Sequence, residues 1–135
     1  MDELKCSFSA PLITGGYGCS RAKAVTRRGG PDIACTSHEA QVQCTQLYGL
    51  LKSAALPAFG VEDDLLTMPH SVMQRIQYGG LRGLQRLLHG NDADVGDVHA
   101  LVVDAVARYA SLEAVPYGEI VPDITGCQPR GGRRR

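Results

Sequence analysis

Four of the five cysteines of this 135-residue chain lie in its first third. They are Cys6, Cys19, Cys35 and Cys44, and glycines and basic residues are interspersed among them. Cysteines gathered in a short segment without a secretory signal bind metals or iron–sulfur clusters more often than they form disulfides. The residue types and their crowding therefore predict a thiolate site in the N-terminal third.

Local sequence around two of these cysteines favours an iron–sulfur cluster. The sequence GGYG precedes Cys19, and glycine permits the positive φ angles and close backbone approaches that suit a loop wrapped around a cluster. Cys35 stands just before a predicted helix, whose positive dipole end lowers the pKa of a thiol there. Both features favour the thiolate form that binds metal.

The charge around the cysteines agrees with an anionic cofactor. The chain has no net charge, with 14 lysine and arginine residues and 14 aspartate and glutamate residues, yet the stretch from Leu4 to Pro31 carries no acidic residue. A four-iron cluster held by four thiolates is a net anion, which nearby cations would stabilise. The cations expected to do so are Arg21, Lys23, Arg27 and Arg28.

We therefore predict that a [4Fe-4S] cluster is held by Cys6, Cys19, Cys35 and Cys44. Because four thiolates leave no iron open to a substrate, the expected role is one-electron transfer or redox sensing rather than catalysis. The expected partner is a redox protein of unknown identity. Cys6 has the least local support, so Cys127 is its possible replacement, although we favour Cys127 as a spare thiol.

Zinc is the alternative cofactor. The cysteine spacing contains no CxxC, so it matches neither the ferredoxin patterns nor the paired knuckles of common zinc sites. However, Cys35 and His38 are close enough in sequence to share a zinc ion, with Cys19 and Cys44 completing the site. A cysteine without any ligand is the simplest alternative, particularly for Cys44, which lies on an apolar helix stripe.

The remaining residues allow two further functional hypotheses. A metal-stabilised interaction module could bind a partner protein or nucleic acid through the basic tail, which contains Arg130 and Arg133 to Arg135. The chain has few aromatic residues and no tryptophan, which argues against a surface on which nucleic-acid bases could stack. The iron–sulfur hypothesis therefore expects no nucleic-acid partner. A cysteine hydrolase using Cys35 or Cys44 with His38 lacks an identifiable orienting carboxylate.

The surrounding pattern predicts a mainly α fold, in which an irregular, glycine-rich N-terminal cysteine segment packs on a bundle of three to four helices. Residues 1–35 show no sustained period, apart from a weak strand over Pro11 to Thr14. A capping box of Thr36 and Glu39 begins a helix over 37–55. Further helical segments are expected at 61–66, from Ser71 to 88, and from a cap at Asp97 to 112.

The second long helix contains two unusual features. Gly79, Gly80 and Gly83 each cost about 1 kcal/mol in a helix interior, so we expect either close approach of another backbone or a cofactor, or a break between two shorter helices. Arginines at 75, 82 and 86 form a basic stripe, which is typical of a solvated face and could also dock an acidic redox partner. The histidines at 70, 89 and 99 are expected to be solvent-facing or capping residues.

Length and hydropathy predict one domain spanning 1–135. Within it, 1–35 is the irregular cysteine-rich segment that binds the cluster, 36–112 is the helical core, and 113–135 is a turn-rich tail with a basic C-terminus. The N-terminus has acidic residues first and no apolar run of signal-peptide or membrane-spanning length. The expected setting is therefore cytoplasmic, without membrane association.

Overall fold

The computed structural model describes residues 4–14, 17–27, 30–59, 70–90 and 95–127. In these residues the fold is mainly α, which confirms the predicted class. The helices are α1 (Ser9–Thr14), α2 (His38–Ala55), α3 (His70–His89), α4 (Val98–Tyr109) and α5 (Val121–Thr125). The strands are β1 (Leu4–Lys5), β2 (Ala22–Arg27) and β3 (Gly30–Cys35).

The N-terminal segment is more regular than its sequence predicts. Its three strands form an antiparallel sheet in the order β1-β3-β2, with Cys35 opposite both Leu4 and Ala22. The weak strand predicted over Pro11 to Thr14 is wrong, because these residues belong to α1. The sequence pattern did not predict the sheet because β3 buries the consecutive residues Ile33 and Ala34. The strand therefore lacks the alternation of apolar and polar residues that is typical of a half-buried strand.

Helix α2 occupies the predicted range with a different cap. The hydroxyl of Ser37, not that of Thr36, accepts a hydrogen bond from the Ala40 N–H at 3.2 Å. The helix ends at Ala55, before a 3₁₀ turn over Leu56–Phe59. Its apolar stripe turns inward and buries Ala40, Cys44, Leu47, Leu51 and Ala55.

Helix α3 is continuous through its glycines, so the predicted break is wrong. A Cβ atom on Gly79 would stand 2.6 Å from the carbonyl oxygen of Asp123 and 2.7 Å from the Cα of Ile124. Only a residue without a side chain permits this approach, because real Cβ atoms do not come so close to a backbone. The alternative of close backbone approach is therefore confirmed, and the approaching element is α5.

Two arginines of the stripe on α3 contact the C-terminal segment, which the sequence pattern did not predict. Arg86 forms an ion pair with Asp123 at 2.7 Å and donates to the carbonyl of Glu119 at 2.9 Å. Arg75 donates to the carbonyl of Thr125 at 3.5 Å. These contacts hold α5 and the turn before it against α3.

Helix α4 begins at the predicted cap. Asp97 has extended backbone, and its Oδ1 accepts hydrogen bonds from the Ala100 N–H at 3.4 Å and the Ser20 N–H at 2.9 Å. The second bond ties the residue after Cys19 to the start of α4. Burial would raise the pKa of Asp97, but these backbone donors lower it below its ordinary value.

The core lies between α2, α3, α4 and α5. Its fully buried side chains include Leu47, Leu51, Ile76, Leu81, Leu84, Val102, Ile120 and Ile124. The predicted turn of helix at 61–66 and the basic tail at 130–135 lie outside the described residues. Within the described ranges, no helix is both long and apolar enough to cross a membrane.

Candidate functional site

The four cysteines singled out from the sequence line a single cavity. Cys6 directly follows β1, and Cys35 is the last residue of β3. Cys19 lies in the turn before β2, and Cys44 lies on the buried stripe of α2. The sheet and α2 therefore bring together cysteines that are spread over the N-terminal third of the chain.

The space between the thiols is small. Its volume is about 10 Å³, which corresponds to room for the centre of about one water molecule. Besides the cysteines, the cavity is lined by Ser7, Arg21, Ala22, Ala40, Gln41, Val98 and His99. The four cysteines, together with these seven residues, thus line a small space that no side chain fills.

Burial is the dominant influence on the pKa of three of these thiols, those of Cys6, Cys19 and Cys44. It raises the pKa of Cys6 to about 11 and that of Cys44 to about 12, and it also raises the pKa of Cys19. Nearby cysteines add a smaller effect in the same direction, and this coupling joins every pair among the four. The buried thiols are therefore protonated near neutral pH, so metal binding would have to release their protons.

Backbone amides provide hydrogen bonds to two of the sulfurs. The N–H of Phe8 lowers the pKa of Cys6 in opposition to burial, and the N–H groups of Arg21 and His99 do the same for Cys19. The Arg21 nitrogen lies 3.5 Å from the Cys19 Sγ. Such amides stabilise thiolates and are among the groups that set cluster potentials.

The backbone around Cys19 is held tightly against the residues that precede α4. The Gly18 N–H donates to the Val95 carbonyl at 3.0 Å, and its own carbonyl accepts from the Val98 N–H at 2.8 Å. A Cβ on Gly18 would stand 2.7 Å from the carbonyl oxygen of Gly96. Gly18 thus permits backbone contact with this segment, whereas Gly15 and Gly16 lie outside the described residues.

His99 is the site residue that the sequence interpretation missed. It was expected to face solvent or to cap a helix, but it lines the thiol cavity from the first turn of α4. Its Nδ1 is buried and has no hydrogen-bond partner within the described part of the chain. The spacing of residues in the sequence did not indicate this position of His99, because α4 is far from the cysteines along the chain and only tertiary packing brings them together.

The residues proposed to bind zinc do not all lie at the same site. His38 is exposed at the start of α2 and is not among the residues that line the cavity. In the ranges that the structure describes, no three histidine, cysteine, aspartate or glutamate side chains are grouped closely enough to hold one metal ion. The zinc set of Cys19, Cys35, His38 and Cys44 is therefore not assembled.

Cys127 lies apart from the cavity. It is buried in the hydrophobic core just after α5, with only 4% of its surface exposed. Burial raises its pKa, while Arg82 and Arg75 lower it and Asp123 raises it further. Its charged neighbours thus belong to α3 and α5, so the structure groups Cys6 and not Cys127 with the other three.

The predicted cationic surroundings are present only in part. Arg21 lines the cavity, whereas Lys23 is exposed on β2. The side chain of Arg27 and the whole of Arg28 lie outside the described residues.

A larger cleft of about 420 Å³ opens beside the cavity and shares Cys6, Ser7 and Gln41 with it. Its other lining residues are Ser9, Tyr48, Met73 and Gln77. Cys6 is therefore the cysteine that borders both spaces.

No protein-family model matches this chain, and neither the curated proteins nor the solved structures include a match. The functional argument therefore rests on the geometry of the site.

Proposed function

We propose that this protein binds a [4Fe-4S] cluster through Cys6, Cys19, Cys35 and Cys44 and acts in one-electron transfer or redox sensing. The observation that supports this most directly is the convergence of these four thiols on one cavity, with the fifth cysteine elsewhere.

The two candidate cofactors place different geometric demands on the cysteines. A zinc ion draws its thiolate sulfurs to about 2.3 Å from its centre, so the ligands of one ion crowd together. In the part of the chain that is described, no three candidate ligands are so closely grouped. A four-iron cluster instead gives each thiolate its own iron and holds the sulfurs farther apart. Because the present gap is only about 10 Å³, binding would require the cysteine side chains to move outward.

The surrounding residues would bind and tune such a group. When bound, the cluster supplies one-electron chemistry. The N–H groups of Phe8, Arg21 and His99 are placed to donate to cysteine sulfurs. Ala40 and Val98 contribute apolar surface to the cavity and limit the access of water, and exclusion of water is one of the factors that set the reduction potential.

The cellular setting and partner belong to the same proposal. All five cysteines are free thiols, which suits a reducing compartment such as the cytoplasm. Because four protein ligands leave no iron for a substrate, the protein would exchange electrons with a redox partner protein rather than transform a bound molecule.

The decisive test is anaerobic reconstitution with ferrous iron and sulfide, followed by an absorption spectrum and metal and sulfide analysis. We expect about four irons and four sulfides per chain, as a [4Fe-4S] cluster requires. Cys19→Ser should lose most of this iron. The matched control is Cys127→Ser, which changes a buried cysteine outside the cavity and should retain it.

Other outcomes separate the alternatives. Colourless protein without stoichiometric iron would refute the proposal. Tight binding of one zinc per chain in preference to iron would favour the zinc site. Equal loss of iron from Cys19→Ser and Cys127→Ser would show that the cavity does not define the ligand set.

A further inference from the structure

His99 is the feature of the cavity that the four-cysteine proposal leaves unexplained. It is carried by α4, whereas the cysteines belong to the sheet region and α2. Its backbone N–H already donates a hydrogen bond to the sulfur of Cys19. Its side-chain Nδ1 is buried with no partner among the residues that the structure describes.

An unpartnered nitrogen is costly in this position. Leaving a buried donor or acceptor unsatisfied costs about 1–3 kcal/mol, and buried polar groups in proteins are therefore almost always paired. Nearby polar groups are already engaged: Asp97 accepts from Ser20 and Ala100, and the Cys35 thiol donates to the Ser37 carbonyl at 3.2 Å. The cavity that His99 lines is the place where a partner for Nδ1 can arrive.

Metal binding would create that partner. A neutral thiol is a weak acceptor, but a thiolate or sulfide sulfur accepts hydrogen bonds readily because it carries negative charge. In the tautomer that carries its proton on Nδ1, His99 is a donor at this position. Four cysteines already account for the four irons, so sulfur rather than iron is the atom left for His99.

We propose that the Nδ1–H group of His99 donates a hydrogen bond to a sulfur of the bound cluster and thereby raises its reduction potential. The inference rests on the proposed [4Fe-4S] function and names the residue that tunes it. The physical reason is that a donor beside the cluster favours the reduced form, which carries one more negative charge. His99 is a tuning residue in this role and not a cluster ligand.

The test compares two substitutions in protein reconstituted with ferrous iron and sulfide. His99→Leu keeps apolar bulk and removes the donor, so its midpoint potential should shift to a more negative value with the iron content unchanged. His99→Asn keeps an N–H group near the position of Nδ1 and should restore most of the shift. His89→Leu is the matched control, because His89 is exposed and pairs with Asp104 away from the cavity.

A spectroscopic measurement on the unsubstituted protein covers the case in which a variant does not fold. Pulsed electron paramagnetic resonance of the reduced protein, with histidine ¹⁵N-labelled only in the imidazole ring, should detect a weakly coupled ring nitrogen, as expected across a hydrogen bond. A strong coupling, or loss of iron from folded His99→Leu, would identify His99 as a ligand and overturn the proposal. Absence of any coupling would also overturn it.

The outcomes distinguish this inference from the function on which it rests. Unsubstituted protein that takes up no iron would refute both. A loaded protein whose potential is the same in His99→Leu would refute only the role of His99 and would leave the four-cysteine site intact.

Discussion

Two regions of this protein contain cysteines in different packing environments. At the thiol cavity, four cysteines, of which Cys44 is buried and the others partly buried, line a small space, and the Nδ1 of His99 is buried without a partner in the described residues. At the contact between α3 and α5, Cys127 lies in a region so closely packed that Gly79 has no room for a Cβ. Burial raises the pKa of cysteines in both places.

The contrast shows that burial and a raised thiol pKa do not by themselves indicate a site. What distinguishes the first region is convergence: several groups of one chemistry face a space that the protein leaves open. In the second region Gly79 and Arg86 of α3 are accounted for by their contacts with α5. Metal removal and single substitutions should therefore affect the two regions differently.

The largest difference should follow the removal of metal from loaded protein. Binding to the folded state stabilises it, and structural metals contribute several kcal/mol to the local fold. Chelation should therefore accelerate amide hydrogen exchange in β1, β3 and the first turn of α4, while α3 and α5 change little. Mass-spectrometric hydrogen exchange checks this, and equal acceleration in both regions would contradict the distinction.

The second test concerns the close packing of α3 on α5. Gly79→Ala would place a Cβ 2.6 Å from a backbone oxygen, and overpacking costs about 1–3 kcal/mol. The gain in helix propensity offsets about 1 kcal/mol of this cost. We expect a net loss of up to about 2 kcal/mol in the free energy of unfolding, measured by urea denaturation, without an effect on iron binding per folded molecule.

Gly49→Ala is the control for this substitution. Gly49 lies within α2, and a Cβ there would meet no atom within 4 Å. It should stabilise the protein by up to about 1 kcal/mol. If both alanine variants were equally stable, the close approach of α5 would not be the reason for glycine at position 79.

The third test addresses the backbone that positions Cys19. Gly18→Ala would place a Cβ 2.7 Å from the Gly96 carbonyl oxygen and should push Cys19 away from α4. Because an irregular segment yields more readily than two packed helices, we expect a smaller loss of stability, about 1 kcal/mol. Iron retention should fall as well, which metal analysis after gel filtration would show.

Gly96→Ala provides the comparison on the other side of this contact. A Cβ on Gly96 would meet no atom within 4 Å, so both stability and iron retention should be nearly unchanged. Iron retention that survives Gly18→Ala would indicate that the contact with residues 95–98 does not position Cys19.

The smallest expected effect is a change in alkaline stability at the C-terminal end of the packed region. Burial raises the pKa of Tyr117 from 10.0 to about 12, and its hydroxyl donates to the Leu112 carbonyl. The unfolded chain therefore loses the phenol proton first as pH rises. The contribution of Tyr117 to stability is complete below pH 10 and is lost as the pH approaches about 12.

Tyr117→Phe should accordingly reduce the fall in stability over this pH range. Urea denaturation of the two proteins at several pH values measures it. Parallel curves for the two proteins would show that another group causes the alkaline loss.

Part of the fold could be predicted from the sequence because some signals are local. Asp97 begins α4 as expected, since a side chain that caps the following turn needs no distant partner. Helix α2 likewise has the predicted extent, although the cap is Ser37. The sheet was missed because β3 buries adjacent residues, and α1 was missed because six residues are too few to show a period.

The crowded set of four cysteines and the apolar stripes of the helices are visible in the amino-acid sequence. Tertiary packing is what places these four cysteines on one cavity, Cys127 in the core elsewhere, and His99 of α4 beside the cysteines. The glycines of α3 are likewise explained by packing alone, because Gly79 faces the backbone of α5 while Gly80 and Gly83 face the side chains of Leu51, Ile120 and Asp123. The physical reason is that caps and periodicity act over a few residues, whereas cavities form from the packing of elements far apart in the chain.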